Sequence, residues 1–268
     1  MRLKTWIPTG TLPLRSMAKA ILILLIVGYG AVLRLTAITE IFGPVEHPQW
    51  LRAVQHSTAS ASLRPAALHW QATGIFPHRD GPPSRYRSDP YTYLQYARQM
   101  RSFYGAHRRE PLFPFTTKVF LWLLSDDDTA VSFASAMFSV LAIGATFIVG
   151  AVAFGYWVGA GAALLMAIEY DLITWGVDGG RDDAFTCGVL FTCIALLLFR
   201  RQPGWRSGLV LGIVAGAACL IRITSLSFTL PAIVVFGLLP GARWRERLIG
   251  AIVGITTAAC LIAPYLVN

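Results

Sequence analysis

Apolar segments close to the roughly 20 residues that a helix needs to cross a bilayer recur along this chain, separated by short polar joints. Backbone polar groups cannot stay unpaired in lipid, so such segments fold as helices. The pattern predicts an all-α polytopic membrane protein with about seven transmembrane helices. The expected spans are 18–37, 133–154, 157–177, 184–199, 207–224, 226–240 and 248–267.

The apolar segment 111–124 is predicted to be an interfacial or re-entrant helix and not a further span. At 1.5 Å per residue it would reach only about 21 Å, against roughly 30 Å of hydrocarbon. Lys118 also lies in its middle. Counting it as a span would place both arginine-containing joints outside, against the positive-inside rule.

Basic residues set the expected orientation. The amino terminus and the joints 200–206 and 241–247 carry Lys and Arg. With seven spans and a cytoplasmic amino terminus, all three lie on the same side, as the positive-inside rule requires. The first apolar run, 18–33, is predicted to be a retained signal anchor. We therefore expect one membrane domain, 1–268, in the plasma or inner membrane, with a first extracytoplasmic loop at 38–132 that carries interfacial amphipathic helices.

The composition supports this class, because 55% of the residues are hydrophobic and only 14% are charged. The net charge of +9 comes from arginines beside the spans, so anionic lipid headgroups are the expected partners and nucleic acid is not. The four cysteines lie in apolar segments and show no disulfide or zinc spacing. No sequence motif for a soluble nucleotide cofactor is present.

The loop includes the sequence YRSDPYTYLQYARQM, residues 86–100, in which apolar and aromatic side chains recur at helical spacing. We expect an amphipathic helix that lies flat on the outer leaflet. Two interpretations of Asp89 stay open. Aspartate before a first-turn proline, here Pro90, is a good N-cap, and the same carboxylate could carry chemistry. The apolar face comprises Tyr93, Tyr96, Ala97, Met100 and Tyr104.

A second acidic group lies at 169–183, where the third expected span emerges. Carboxylates at a membrane boundary are costly and usually face a polar cavity. Asp171 is the deeper of them and needs water or a charge partner, for which Arg181 and Arg222 are candidates. The group comprises Glu169, Asp171, Asp178, Asp182 and Asp183.

Two more charged sites have a structural and a functional interpretation. Arg222 has apolar neighbours and either snorkels towards water or clamps a phosphate in a bidentate fork. Glu110 follows the Arg108–Arg109 pair and precedes Pro111. The prolines of this segment either shape a turn only, or Glu110 and the arginines orient an anionic headgroup at the membrane surface.

Several short sequences occur in the order seen in the membrane-embedded GT-C glycosyltransferases, which include the protein O-mannosyltransferases and the aminoarabinose transferases. SDPYTYLQYARQM resembles the acidic start of a Tyr/Ala-rich helix in their first outer loop, and REPLFPF is similar to their proline-rich entry into the next helix. GGRDDAFTCGVLF resembles their second outer loop, GIVAGAACLIR a Gly/Ala-rich helix that ends in a basic residue, and LIAPYLVN the exit from a later span. The resemblance covers about 18–268.

The resemblance implies a fold, a reaction and roles for particular residues. The donor would be a sugar on a polyprenyl phosphate or diphosphate, and catalysis would occur on the extracytoplasmic face. Asp89 and Asp183 would be catalytic, and Asp183 matches better than Asp182 because Ala184 and Phe185 follow it. A divalent metal, Mg or Mn, held by Asp89 and Asp183 is left open, because some branches work without one. Donor phosphate would be bound by Arg222, Arg181 and Arg109, and substrate positioned by Glu110, Asp182 and Tyr93.

The chain departs from the family pattern in two places. Asp89 is followed by proline where relatives often carry an acidic pair, and relatives continue beyond Asn268 through further spans that bear acceptor-binding residues. The acceptor would be a lipid, a glycan or a protein.

Two other classes of protein are compatible with part of this pattern. A transporter or flippase would concentrate its polar groups near the midplane on broken helices, whereas the acidic residues here cluster towards the outer ends. A non-catalytic accessory subunit is the third interpretation.

Overall fold

A computed structural model describes residues 14–42, 86, 88–105, 109–239 and 243–267. These residues form helices and no strand, which confirms the all-α class. Much of the predicted loop 38–132, including 43–85, lies outside the described residues. The helices are α1 Leu14–Phe42, α2 Asp89–Gln99, α3 Leu112–Leu123, α4 Ala130–Phe154, α5 Tyr156–Ile168, α6 Tyr170–Val177, α7 Asp182–Arg201, α8 Trp205–Ile221, α9 Leu226–Leu238 and α10 Trp244–Val267.

Four helices of this set, α1, α4, α7 and α10, are long and apolar enough to cross a membrane. Helices α5 and α6 add a fifth candidate if they are counted as one span, although the chain bends by 60° between them. Helices α8 and α9 have 17 and 13 residues. The structure therefore establishes four to five candidate spans of the seven predicted, because the expected fifth and sixth spans are short helices.

Successive helices run up and down between two ends of the bundle. The start of α5 meets the start of α1, where the Tyr156 hydroxyl donates to the Lys19 carbonyl at 2.8 Å. The start of α4 meets the end of α6, since the Ser132 hydroxyl donates to the Val177 carbonyl. The start of α4, the α6–α7 turn and the α8–α9 turn therefore lie together at one end of the bundle, the site end.

The opposite end carries exposed tryptophans and arginines. Trp205 and Trp244 are exposed, and the guanidinium groups of Arg206 and Arg245 lie 5.3 and 5.5 Å from their ring centroids. Tryptophan and arginine together are typical of a membrane–water interface. The basic joints of the sequence thus lie at the end remote from the site.

Helices α8 and α10 cross with their backbones in close contact. A Cβ atom on Gly208 would overlap the carbonyl of Gly250, and one on Gly212 the carbonyl of Gly254. The spacing of four residues on both helices places these glycines on one face each, as in small-xxx-small packing of membrane helices. This contact fixes α8, and with it the position of Arg222 just beyond its end.

Helix α2 lies against the bundle at the site end, and three of the five residues predicted for its apolar face are buried. Tyr93, Ala97 and Met100 are buried, and Arg98 is exposed. The prediction of an Asp89 N-cap is wrong, because Ser88 is the capping residue and Asp89 is already helical, with no side-chain capping bond. The Asp89 carboxylate is therefore free to make other contacts.

Helix α3 confirms the prediction of a short apolar helix in 111–124, since it is too short to be a span. One face packs on the bundle, and the other exposes Phe115, Val119 and Trp122. The spacing of these three residues makes one stripe along the helix. Lys118 turns back and donates to the carbonyl of Met100.

Candidate active site

Glu110 is the central buried charge of the site end. One carboxylate oxygen pairs with the Arg181 guanidinium, and the other accepts the backbone N–H of Ile223 at 2.8 Å. The side chains of Glu110 and Arg181 are only 7% and 14% exposed. Glu110 thus joins the segment before α3 to the α6–α7 turn and to the α8–α9 turn.

Asp89 lies in a more open part of the same end. Its Oδ1 pairs with Arg109 Nη2 at 3.2 Å, and its Oδ2 lies 3.4 Å from the Tyr93 hydroxyl, which donates to it. The Asp89 side chain is 54% exposed. A substrate group can therefore approach this carboxylate from solvent, whereas it cannot reach Glu110 directly.

Tyr93 connects the open and the buried parts of the site. The guanidinium carbons of Arg109 and Arg181 lie 5.9 and 5.7 Å from its ring centroid, a distance at which cation–π attraction operates. Burial raises the pKa of Tyr93 to about 12, against the opposing effect of Arg181. The phenol therefore stays protonated near neutral pH and orients Asp89 by donating a hydrogen bond to it.

Gly179 sets the turn between α6 and α7 against the start of α2. Its φ of +81° is in the left-handed region, which favours glycine. A Cβ atom there would lie 3.0 Å from a Val131 methyl group and 3.3 Å from the Pro90 ring. The residue next to Asp89 is thus packed directly on the turn that carries Arg181.

Arg222 ends α8 and pairs with Asp182 at the start of α7, with Nη1 to Oδ1 at 2.9 Å. Its guanidinium carbon also lies 5.3 Å from the Phe185 ring centroid. The Asp182 side chain is 71% exposed and that of Arg222 is 35% exposed. An exposed ion pair of this kind contributes little to stability, so an anionic ligand can take the place of Asp182.

Asp183 does not join Asp89. It is buried between the helices, where its carboxylate lies near Ser139 and Arg34. Its Oδ2 has no hydrogen-bond partner among the described residues. The structure therefore separates the two aspartates that the family resemblance groups as catalytic. It places Asp89 at the open face and Asp183 behind it.

The residues present do not fit a metal ion held between Asp89 and Asp183. Asp89 is engaged by a cation and a phenol, and Asp183 faces a hydroxyl and a guanidinium in the bundle. Within the described ranges, no group of three or more His, Cys, Asp or Glu side chains is placed to hold a metal.

Arg34, Ser139 and the backbone N–H of Ile223 were not among the predicted site residues. Arg34 did carry a signal, because a charged residue inside a membrane span is costly and needs a partner. Asp171, by contrast, has neither proposed partner. Arg181 pairs with Glu110 and Arg222 with Asp182, and Asp171 lies exposed on α6.

An apolar cavity of about 320 Å³ lies between α8, α9 and α10. Cys219, three residues before Arg222, and Leu226, the first residue of α9, are part of its wall. Ala259 and Leu266 of α10 line the other side. The cavity thus begins within one helical turn of Arg222 along the chain.

Comparison with known families decides the class of protein. Residues 108–267 match the profile of the family described as dolichyl-phosphate-mannose-protein mannosyltransferase. The chain belongs to this family. Members of the mannosyltransferase family are glycosyltransferases that depend on a polyprenyl-phosphate sugar. Neither a curated protein nor a solved structure matches the chain. The matched residues include Glu110, Arg181 and Arg222 and exclude Asp89.

Proposed function

We propose that this member of the mannosyltransferase family transfers a sugar from a polyprenyl-phosphate donor to a hydroxyl or amine acceptor on the extracytoplasmic face. The observation that carries the proposal is the site end itself. There an open carboxylate, Asp89, and an open guanidinium, Arg222, both lie next to the buried Glu110–Arg181 pair. The tryptophans and arginines at the opposite end favour a cytoplasmic position for that end, by the positive-inside rule.

Asp89 acts as the general base in this proposal. The acceptor oxygen or nitrogen attacks the anomeric carbon from the face opposite the phosphate, and the bond from that carbon to the phosphate oxygen breaks. Polyprenyl phosphate leaves, and the acceptor proton passes to Asp89. The Tyr93 hydroxyl on Oδ2 fixes the carboxylate so that its open side meets the acceptor.

Arg222 neutralises the leaving phosphate. A guanidinium binds phosphate oxygens in a fork, and the only described carboxylate paired with Arg222 is the exposed Asp182. Arg109 adds a second exposed cation near Asp89, while Arg181 is kept by Glu110. Charge stabilisation aimed at the leaving group is commonly the largest single contribution to catalysis.

The apolar cavity accommodates the first part of the isoprenoid chain in this proposal. Its wall is almost entirely hydrocarbon, with Thr229 as an exception. Cys219 in its wall is three residues before Arg222, and we place the chain of a lipid phosphate bound by Arg222 along this wall. Burial of apolar surface then adds to donor affinity.

Transfer from radiolabelled polyprenyl-phosphate mannose tests the proposal. The purified protein in lipid nanodiscs is incubated with the donor and with solubilised envelope material as a source of acceptors. We expect label to move from the lipid to a more polar product, and polyprenyl phosphate to be released in equal amount. Intact donor after incubation with the wild-type protein would argue against the proposed function.

A further inference from the structure

Arg34 is a fully buried cation in the second half of α1. A charged side chain inside a membrane span is costly unless it is paired or hydrogen-bonded. Each of the three guanidinium nitrogens of Arg34 has at least one acceptor. Its Nε donates to the Ser139 hydroxyl at 2.7 Å, and its Nη1 donates to the carbonyls of Gly30 at 3.0 Å and Ala167 at 3.3 Å. Its Nη2 donates to the carbonyl of Met166 at 3.4 Å.

Two of these acceptors exist because the third pass of the chain is broken. Helix α5 ends at Ile168, and the last carbonyls of a helix have no partner within it. The chain then bends by 60° into α6. Arg34 donates to the carbonyls of Met166 and Ala167 in that last turn. The guanidinium therefore caps the end of α5 from a neighbouring helix and stabilises the break.

On its other side, Arg34 is connected through Ser139 to the start of α7. The Ser139 hydroxyl accepts from Arg34 and lies beside the Asp183 carboxylate. A Cβ atom on Gly176 would lie 2.8 Å from Asp183 Oδ2 and 2.9 Å from Ser139 Oγ, so α6 packs directly on this pair. The Asp183 charge compensates that of Arg34 inside the bundle.

We propose that Arg34 is a positioning residue for the active site. It holds both ends of the segment that carries Arg181 and Asp182: the α5–α6 break before it, and the first turn of α7 after it through Ser139 and Asp183. Loss of Arg34 removes the donors to the carbonyls at the end of α5 and leaves Asp183 as an uncompensated buried charge. Arg181 and Asp182 then lose their fixed positions opposite Glu110 and Arg222.

Hydrogen–deuterium exchange of the full chain in nanodiscs tests the positional part. We expect Arg34→Met to speed amide exchange about tenfold or more across residues 169–185, and to leave the remote end, 145–154, unchanged. Arg34→Lys keeps the charge but loses the planar fork, so we expect a smaller increase in the same segment. Ser139→Ala should likewise affect 176–185.

Thr39→Val is the matched control, because Thr39 lies on the same helix and its hydroxyl donates to carbonyls of that helix. It should exchange like the wild type. Wild-type exchange at 169–185 in Arg34→Lys, or an equal increase over the whole chain, would overturn the proposal. Arg34→Lys remains decisive if Arg34→Met does not fold.

The catalytic consequence rests on the proposed function. Arg34→Lys should lower kcat for sugar transfer about tenfold with a smaller change in the donor KM, because it misplaces Arg181 and Asp182, the partners of Glu110 and Arg222. A KM increase with unchanged kcat would contradict this role. If the wild type transfers no sugar, the proposed function fails, while the exchange experiment still decides whether Arg34 positions the segment.

Discussion

The site end contains two kinds of ion pair, and their surroundings differ. Glu110–Arg181 is buried and is completed by a backbone amide from the α8–α9 turn. Asp89–Arg109 and Asp182–Arg222 are open to solvent. Breaking a buried pair leaves an uncompensated charge and costs about 3–5 kcal/mol, whereas an exposed pair contributes about 0–1 kcal/mol.

The buried pair therefore has a structural role, whereas the exposed pairs are available to bind substrate. The buried pair links three segments of the chain and cannot be released without loss of structure. The exposed pairs can exchange a protein partner for a substrate group at small cost. Substitutions at the site end should therefore divide into those that lower the stability of the fold and those that reduce sugar transfer alone.

Glu110→Gln should have the largest effect. It removes the negative charge that compensates Arg181, so we expect the free energy of unfolding to fall by about 3–5 kcal/mol and transfer to be lost with it. Thermal unfolding of the detergent-purified protein measures the change. Glu169→Gln, at an exposed carboxylate, is the control and should unfold like the wild type. Equal stability of the two variants would contradict a structural role for the buried Glu110–Arg181 pair.

Asp89→Asn should come next, with an effect on activity alone. Removal of a general base lowers kcat about 10²- to 10⁴-fold, while the unfolding temperature should change little because the Asp89–Arg109 pair is exposed. Asp126→Asn is a matched control, since Asp126 is also an exposed aspartate paired with an arginine, Arg98. Normal transfer by Asp89→Asn would exclude this carboxylate as the base.

Arg222→Ala should raise the donor KM on the order of tenfold to a hundredfold, which is the loss expected for hydrogen bonds to a charged group. Steady-state kinetics with the labelled donor measures it. Arg206→Ala is the control, because Arg206 also lies over an aromatic ring but at the opposite end. If both variants bind donor like the wild type, Arg222 only snorkels.

Ala259→Phe should have the smallest effect. It fills part of the apolar cavity, so we expect the donor KM to rise by about tenfold or less, as for other small changes in an apolar pocket. A donor with a short isoprenoid chain should be less affected than a long one. Ile252→Phe is the control, at an exposed position of the same helix. An equal response to both chain lengths would place the chain elsewhere.

Much of the fold could be predicted from the sequence. Apolar runs and their joints located α1, α4, α7 and α10, and the short segment at 111–124 was correctly kept apart from the spans. The spacing of Tyr93, Ala97 and Met100 predicted the buried face of α2. The break at Glu169 was not predicted. Glu169 and Asp171 interrupt the apolar run, but apolar residues follow them and no proline marks a helix end there, so a single span was expected over 157–177.

The sequence by itself determined the all-α membrane class and the positions of the four long apolar helices, because helical periodicity and apolar length are local properties. Only the tertiary structure decided which charges pair. Arg181 is 71 residues from Glu110, and Ile223 is 113 residues from it. Arg34 and Ser139 are 105 residues apart. Such partners are chosen by helix packing, which also turns Asp183 inward and leaves Asp89 open.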